Sequence, residues 1–370
     1  MAILEGRTLA RYELQQIIGK GGMADVYMGY DPRFQRYIAV KVFKHEEDEM
    51  LQRFILESHL MSYLHHKHLI SIYNAGIAVI DQNPQYYIIM PFMAGGTLHS
   101  RIKHSPLALN EVCRYLRDIA SALDYVHAQG IIHRDIKASN VLLDEDGNCY
   151  LSDFGIARTT TNRVTRLTMT RGLLGTVDYF APELFEEHHK ADVRSDLYAL
   201  GILLYEMVTG QLPFSAENPL AVAAMHMNKL PPLPHTLKPA IPRFTEQVML
   251  RALEKRPELR YSSATKLAAA FCRSLKASAN SRLWHAYPLL EALTVPAQVM
   301  SSMTATPASA SLHTDITSPV LDPLTSSSRP PSPIRVRDRI IVVIILAILL
   351  VALGATVWLV NAPQFGLFLP

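Results

Sequence analysis

Cysteine is scarce in this chain of 370 residues, which holds only Cys113, Cys149 and Cys272. Three is an odd count, and the spacing is not that of metal ligands, so the cysteines fit reduced thiols of a cytosolic protein rather than a disulfide framework. Charge of one sign is lacking as well. A formal net charge of +3 is too mild to mark a nucleic-acid binder. From Met1 to Leu14 charged residues interrupt the apolar ones, and no secretory signal is expected there. The length suits one two-lobed domain with accessory segments.

What is present begins with His133-Arg134-Asp135-Ile136-Lys137-Ala138-Ser139-Asn140, followed by Asp153-Phe154-Gly155. Transfer of a terminal phosphoryl group needs charges held in position more than covalent help. Asp135 is placed to accept the proton of an incoming hydroxyl, Lys137 to steady the transferring group, and Asn140 and Asp153 to hold magnesium through hard oxygen ligands. Any one of these residues alone would more often cap a turn.

Other segments support the same chemistry. Ile18-Gly19-Lys20-Gly21-Gly22-Met23-Ala24-Asp25-Val26 reads as a glycine-rich turn between two strands, where backbone amides can approach phosphates. Next comes the β-branched strand Ile38-Ala39-Val40-Lys41-Val42, whose central lysine requires a partner. A helical segment from Asp48 to Leu64 carries Phe54, Met61 and Leu64 on its apolar stripe and offers Glu57 as that partner.

On these motifs, residues 12 to about 275 resemble a eukaryotic-like protein kinase domain, and the glycine loop is most similar to that of the bacterial Ser/Thr branch. The resemblance implies an α+β, two-lobed fold: a small β-rich N-lobe with one helix and a larger helical C-lobe. It implies ATP with Mg2+, or Mn2+, in a pocket formed by Ile18, Gly19, Lys20, Gly21, Gly22, Val26, Ala39, Lys41, Met90, Pro91, Met93 and Leu142. Lys41 would contact the phosphates and Glu57 would hold Lys41. Asp135 would be the catalytic base, with Lys137 marking Ser/Thr substrates. Ala181-Pro182-Glu183 would pair through Glu183 with Arg260, and Asp196 would brace the catalytic loop; both acids are architectural. Ala24 replaces the family's third glycine, a change of one methyl. His65, His66 and His68 lie where the family's helix leads into the next strand, which disfavours a metal centre.

Arg134 precedes the base and is the cation that in many kinases receives an activation-loop phosphate. Thr168 and Thr170 are the expected autophosphorylation sites, and Thr176 is expected to shape the substrate slot.

Ile340 to Val360 is a run of 21 residues without a formal charge, long enough as a helix to cross a bilayer. Arg335, Arg337 and Arg339 precede it, so the positive-inside rule places the preceding domain in the cytoplasm of a single-pass cell-membrane protein. The expected organisation is a lead-in over 1–11, the kinase domain over 12–275, a short helical extension over 276–295, and a disordered Ser/Thr/Pro-rich linker over 296–338. The membrane helix at 340–360 and an extracytoplasmic tail at 361–370, too short for a folded outer domain, complete it. Leu283, Trp284 and Tyr287 in the extension are spaced for a helix that docks on the kinase domain. Protein substrates bearing Ser or Thr are expected partners. Ala352 and Thr356, four apart, offer a weak signal for a homodimer. An ATP-binding scaffold that recruits partners to the membrane is the alternative to an active enzyme.

Overall fold

In the computed structural model, the residues described are 4–22, 24–44, 54, 58, 62–154, 177–186 and 191–279. The membrane-spanning expectation for 340–360, and those for the extension beyond 279, the linker and the tail, lie outside them. Among the described residues no helix is long and apolar enough to cross a membrane.

The N-terminal half forms one antiparallel sheet. Its strands are β1 (Thr8–Leu9), β2 (Tyr12–Lys20), β3 (Ala24–Asp31), β4 (Arg36–Phe43), β5 (Asn74–Ile80) and β6 (Asn83–Pro91), in spatial order β1-β2-β3-β4-β6-β5. Strand alternation splits its side chains between two cores. Tyr12, Tyr27, Ile38, Val40, Val42 and Ile89 join Leu4 and Leu9 on one face. Ala24, Ala39, Phe43, Ile88 and Met90 belong to the core shared with the C-terminal half. Of the expected lead-in, the described residues 4–11 contribute to the sheet and its core: Thr8 pairs with Glu13 and Leu9 with Tyr12, and Leu9 is buried. Of the expected helix between β4 and β5, Phe54, Ser58, Ser62 and Tyr63 are described and helical. Phe54 packs edge-on against Phe43, with ring centroids 5.4 Å apart. Leu64, expected to end the helix, lies just past it and is buried.

The C-terminal half is helical. After β7 (Gly96–Thr97) come α1 (Leu98–His104) and α2 (Leu109–Ala128), then the hairpin β8 (Val141–Leu143) and β9 (Cys149–Leu151). α3 (Val193–Thr209), α4 (Pro219–Asn228), α5 (Pro234–Leu237), α6 (Arg243–Ala252) and α7 (Ala264–Ala279) follow. α2 buries Val112, Leu116, Ile119, Leu123 and Val126 at helical spacing. α3 is buried from Ser195 through Val208, as befits a helix surrounded by others. Its start is fixed by a capping box between Asp192 and Ser195, and its end by Gly210, whose φ of 80° suits a residue without Cβ. α7 continues to Ala279, four residues past the expected domain boundary at 275.

The expectation of reduced thiols is corrected at two of three cysteines. Cys113 on α2 and Cys272 on α7 form a disulfide, with Cα atoms 5.5 Å apart. A separation of 159 residues hid this pair, which becomes adjacent only when α2 and α7 pack side by side. Cys149 is free and buried, and burial pushes its thiol pKa up. The three histidines lie between the two halves of the fold. His66 Nε2 meets Ser121 Oγ at 3.1 Å, while the His68 ring lies between the Cys149 carbonyl at 3.1 Å and Asp118 at 3.3 Å.

Candidate active site

The loop after α2 carries the polar residues of the motif, and its backbone is held from α3. Asp196, almost fully buried, accepts hydrogen bonds from the amides of His133 and Arg134, each at 2.8 Å, and from His127 Nε2 at 2.8 Å. A buried carboxylate with three donors is well satisfied and keeps the loop in one conformation. Arg134 has φ of 67° and Asp153 φ of 54°, left-handed backbone uncommon for residues with a Cβ and concentrated at functional sites. His133 ties these two turns together. Its Nε2 donates to the Ser152 carbonyl at 3.1 Å and its Nδ1 accepts from the Asp135 amide at 3.3 Å, so the ring is neutral. Burial pushes its pKa down, which agrees with that tautomer.

Asp135 Oδ2 receives Lys137 Nζ at 2.9 Å and Asn140 Nδ2 at 2.9 Å. Asn140 Nδ2 also donates to the Asp135 carbonyl at 2.9 Å and reaches the Asp153 carbonyl at 3.5 Å. With its amide nitrogen engaged, the carboxamide presents oxygen as its other polar atom. Lys41 Nζ lies 2.7 Å from Asp153 Oδ1. Burial opposes ionisation of Asp153, but the Lys41 ammonium, its hydrogen bond and the nearby Lys137 outweigh it and hold the carboxyl below its usual range. Asp153, Asn140, Asp135, Lys137 and Lys41 thus form one cluster drawn from three separate stretches of backbone. An amide oxygen and a carboxylate are hard donors of the kind magnesium takes, so the residues present fit that ion.

The sheet places the rest of the pocket. Gly19 pairs with Val26, Val26 with Lys41, and Lys41 with Ile88, while Ala39 pairs with Met90. Ala39, Met90 and Val26 belong to the shared core, on the side where Lys41 meets Asp153. Ile18 is exposed at the end of β2, beside Lys20. At the turn, the Gly21 amide donates to the Ala24 carbonyl at 3.0 Å, and a Cβ on Gly21 would lie 2.9 Å from that oxygen. Gly22 follows with open space around it. Lys44 Nζ closes the loop onto β3, 2.7 Å from the Gly21 carbonyl and 2.8 Å from Asp25.

Pro91 ends β6, and Met93 packs partly on the core and accepts from the Gly96 amide at 3.0 Å. Gly95 is required by close approach, since a Cβ there would sit 2.5 Å from the Asp144 carbonyl. Leu142 on β8 packs on the same core opposite Thr97. Glu57, Thr168, Thr170 and Thr176 lie outside the described residues. Glu183 and Arg260 form the expected pair, with two bonds of 2.8 Å. Sequence reasoning left His127 and the Tyr179–Glu206 hydrogen bond unassigned. The latter ties the segment before Ala181 to α3, and no local motif announces it.

Residues 12–272 match the protein kinase domain family, and the chain belongs to that family. Its similarity is to bacterial serine/threonine-protein kinases. It is 36% identical over 267 residues to PrkC of Bacillus subtilis, covering 71% of this chain and 40% of that one. To PknB of Mycobacterium tuberculosis it is 34% identical over 267 residues, covering 71% and 42%. The chain thus spans about two fifths of the length of these curated relatives. The crystal structure of the Mycobacterium tuberculosis PknI kinase domain superposes with a TM-score of 0.56 at 27% identity, covering 74% of this chain and all of that one.

Proposed function

We propose that the chain is an ATP-dependent protein serine/threonine kinase. The observation that carries this reading is the convergence of Asp135, Lys137, Asn140, Asp153 and Lys41 in one hydrogen-bonded cluster. Asn140 and Asp153 would hold magnesium, which when bound supplies positive charge against the phosphates of ATP. Asp135, oriented by Lys137 and Asn140, accepts the proton of a Ser or Thr hydroxyl as that oxygen attacks the terminal phosphorus. ADP leaves as the bond to the bridging oxygen breaks. Lys137 and Lys41 supply positive potential where negative charge builds up.

The finer reading adds a place and a control. The chain is anchored by 340–360 in the cell membrane with the kinase domain in the cytoplasm, it phosphorylates itself at Thr168 or Thr170, and paired copies make that reaction efficient. The uncharged run and the three arginines before it support the anchor. Phosphosite mapping after incubation of the full chain with ATP and magnesium tests the control. Phosphate on Thr168 or Thr170, with slower transfer after both are changed to Ala, supports it. Unchanged activity of the double variant refutes it.

A further inference from the structure

Away from the catalytic cleft, a cavity of about 500 Å³ opens between α2, α7 and the loop at Lys67 and His68. Its walls carry Lys67 from the loop, Arg117 from α2, and Arg273 and Lys276 from α7. Among the described residues none of these four cations forms an ion pair or hydrogen bond. That sets them apart from Lys41, Lys137, Arg101 and Arg260, each of which meets a carboxylate within 3.1 Å. The cavity's one acid, Asp118, is already engaged: Oδ1 lies 3.3 Å from His68 and Oδ2 accepts from the Cys149 thiol at 3.9 Å. Four exposed cations around one concavity, opposed by the single carboxylate of Asp118, repel each other, and an anion seated among them would relieve that repulsion.

We propose that this cavity is a binding site for a soluble, multiply phosphorylated anion. Two observations favour phosphate over an acidic peptide. The volume is that of a compact ligand site rather than an extended groove. Arg117 on α2 and Arg273 on α7 both line it, and guanidinium groups match phosphate oxygens by paired hydrogen bonds. The walls are held in register, because Cys272 of the lining is bonded to Cys113 on α2. The loop carrying Lys67 leads into β5, so an occupied cavity would bind the two halves of the fold together. The site is separate from the catalytic cluster and does not depend on the kinase reading.

Calorimetric titration of the full chain with inorganic tripolyphosphate in metal-free buffer tests the proposal. Three variants are titrated beside it: Arg117→Glu/Arg273→Glu, Arg117→Gln/Arg273→Gln, and Lys41→Met. The expected result is saturable binding with one equivalent. It weakens about tenfold or more in the charge-reversed pair, less in the Gln pair, and stays unchanged in Lys41→Met. If the charge-reversed chain fails to fold, the Gln pair, which adds no repulsion, carries the comparison. Binding lost in Lys41→Met but kept in the Gln pair would place the anion in the catalytic cleft and overturn the proposal. So would the absence of saturable binding, or tighter binding of a poly-glutamate peptide than of tripolyphosphate.

Discussion

Arg260→Met removes a fully buried cation of the C-terminal half while keeping most of the side-chain volume. The Arg260 side chain is 0% exposed and that of Glu183 is 7% exposed. Arg260 donates to both Glu183 oxygens at 2.8 Å, and to the carbonyls of Glu254, Arg194 and Lys255 at 2.8, 3.0 and 3.0 Å. Its loss leaves a buried carboxylate with only Ser195 Oγ, at 3.0 Å, and three carbonyls without their donor. Breaking a buried pair from one side destabilises by about 3–5 kcal/mol. For a domain of this size that lowers Tm by roughly 10 °C. The assay is urea unfolding followed by circular dichroism, with Glu183→Gln/Arg260→Met beside the single variant. The double variant is expected to recover part of the loss, since no uncompensated charge stays buried. A single variant destabilised by less than about 1 kcal/mol, the range of exposed pairs, would refute the reasoning.

Asp196→Asn replaces one carboxylate oxygen by a donor that faces a backbone amide, so kcat is expected to fall at least about tenfold with little change in the KM for ATP. Steady-state kinetics checks this, and an unchanged kcat would contradict the bracing role. His226 is pushed down to about 3, first by burial and then by the Lys255 cation. The folded ring stays neutral where the unfolded one, with a pKa of 6.5, takes up a proton. Stability is therefore full above pH 6.5 and is lost as pH falls toward 3, by at most about 1.4 kcal/mol per pH unit. Urea midpoints between pH 7 and pH 4 should show a shallower slope in His226→Gln. The Cys113–Cys272 bridge closes a long loop, and reduction should lower stability by up to about 5 kcal/mol. Thermal melts with and without reductant, beside Cys272→Ser, measure it, and coincident melts would contradict a stabilising bridge.

Legibility in the sequence followed distance along the chain. Asp135, Lys137 and Asn140 are local neighbours whose chemistry is readable from their types and spacing, and Asp153 follows 13 residues after Asn140. Lys41 is visible as a charge inside a β-branched strand, although its described partner is Asp153, 112 residues away. Asp196, Glu183 and Arg260 were assigned through family resemblance, and their contacts agree with it. His127 with Asp196 spans 69 residues and leaves no local pattern, because only the crossing of α2 and α3 brings the two together. The disulfide was misread for the same reason: spacing reveals metal sites and short loops but not which distant helices pack. Cations without partners among the described residues, such as Arg117 and Arg273, have no sequence signature, since pairing is a property of the folded surface.

The most direct test of the central claim is transfer of the terminal phosphate of labelled ATP, with magnesium, to the full chain and to a generic Ser/Thr protein substrate, beside Asp135→Asn. The cluster predicts incorporation into Ser or Thr that falls at least about a hundredfold in the variant, with ATP binding retained. Equal incorporation by both proteins, or ATP binding with no transfer by either, would contradict it.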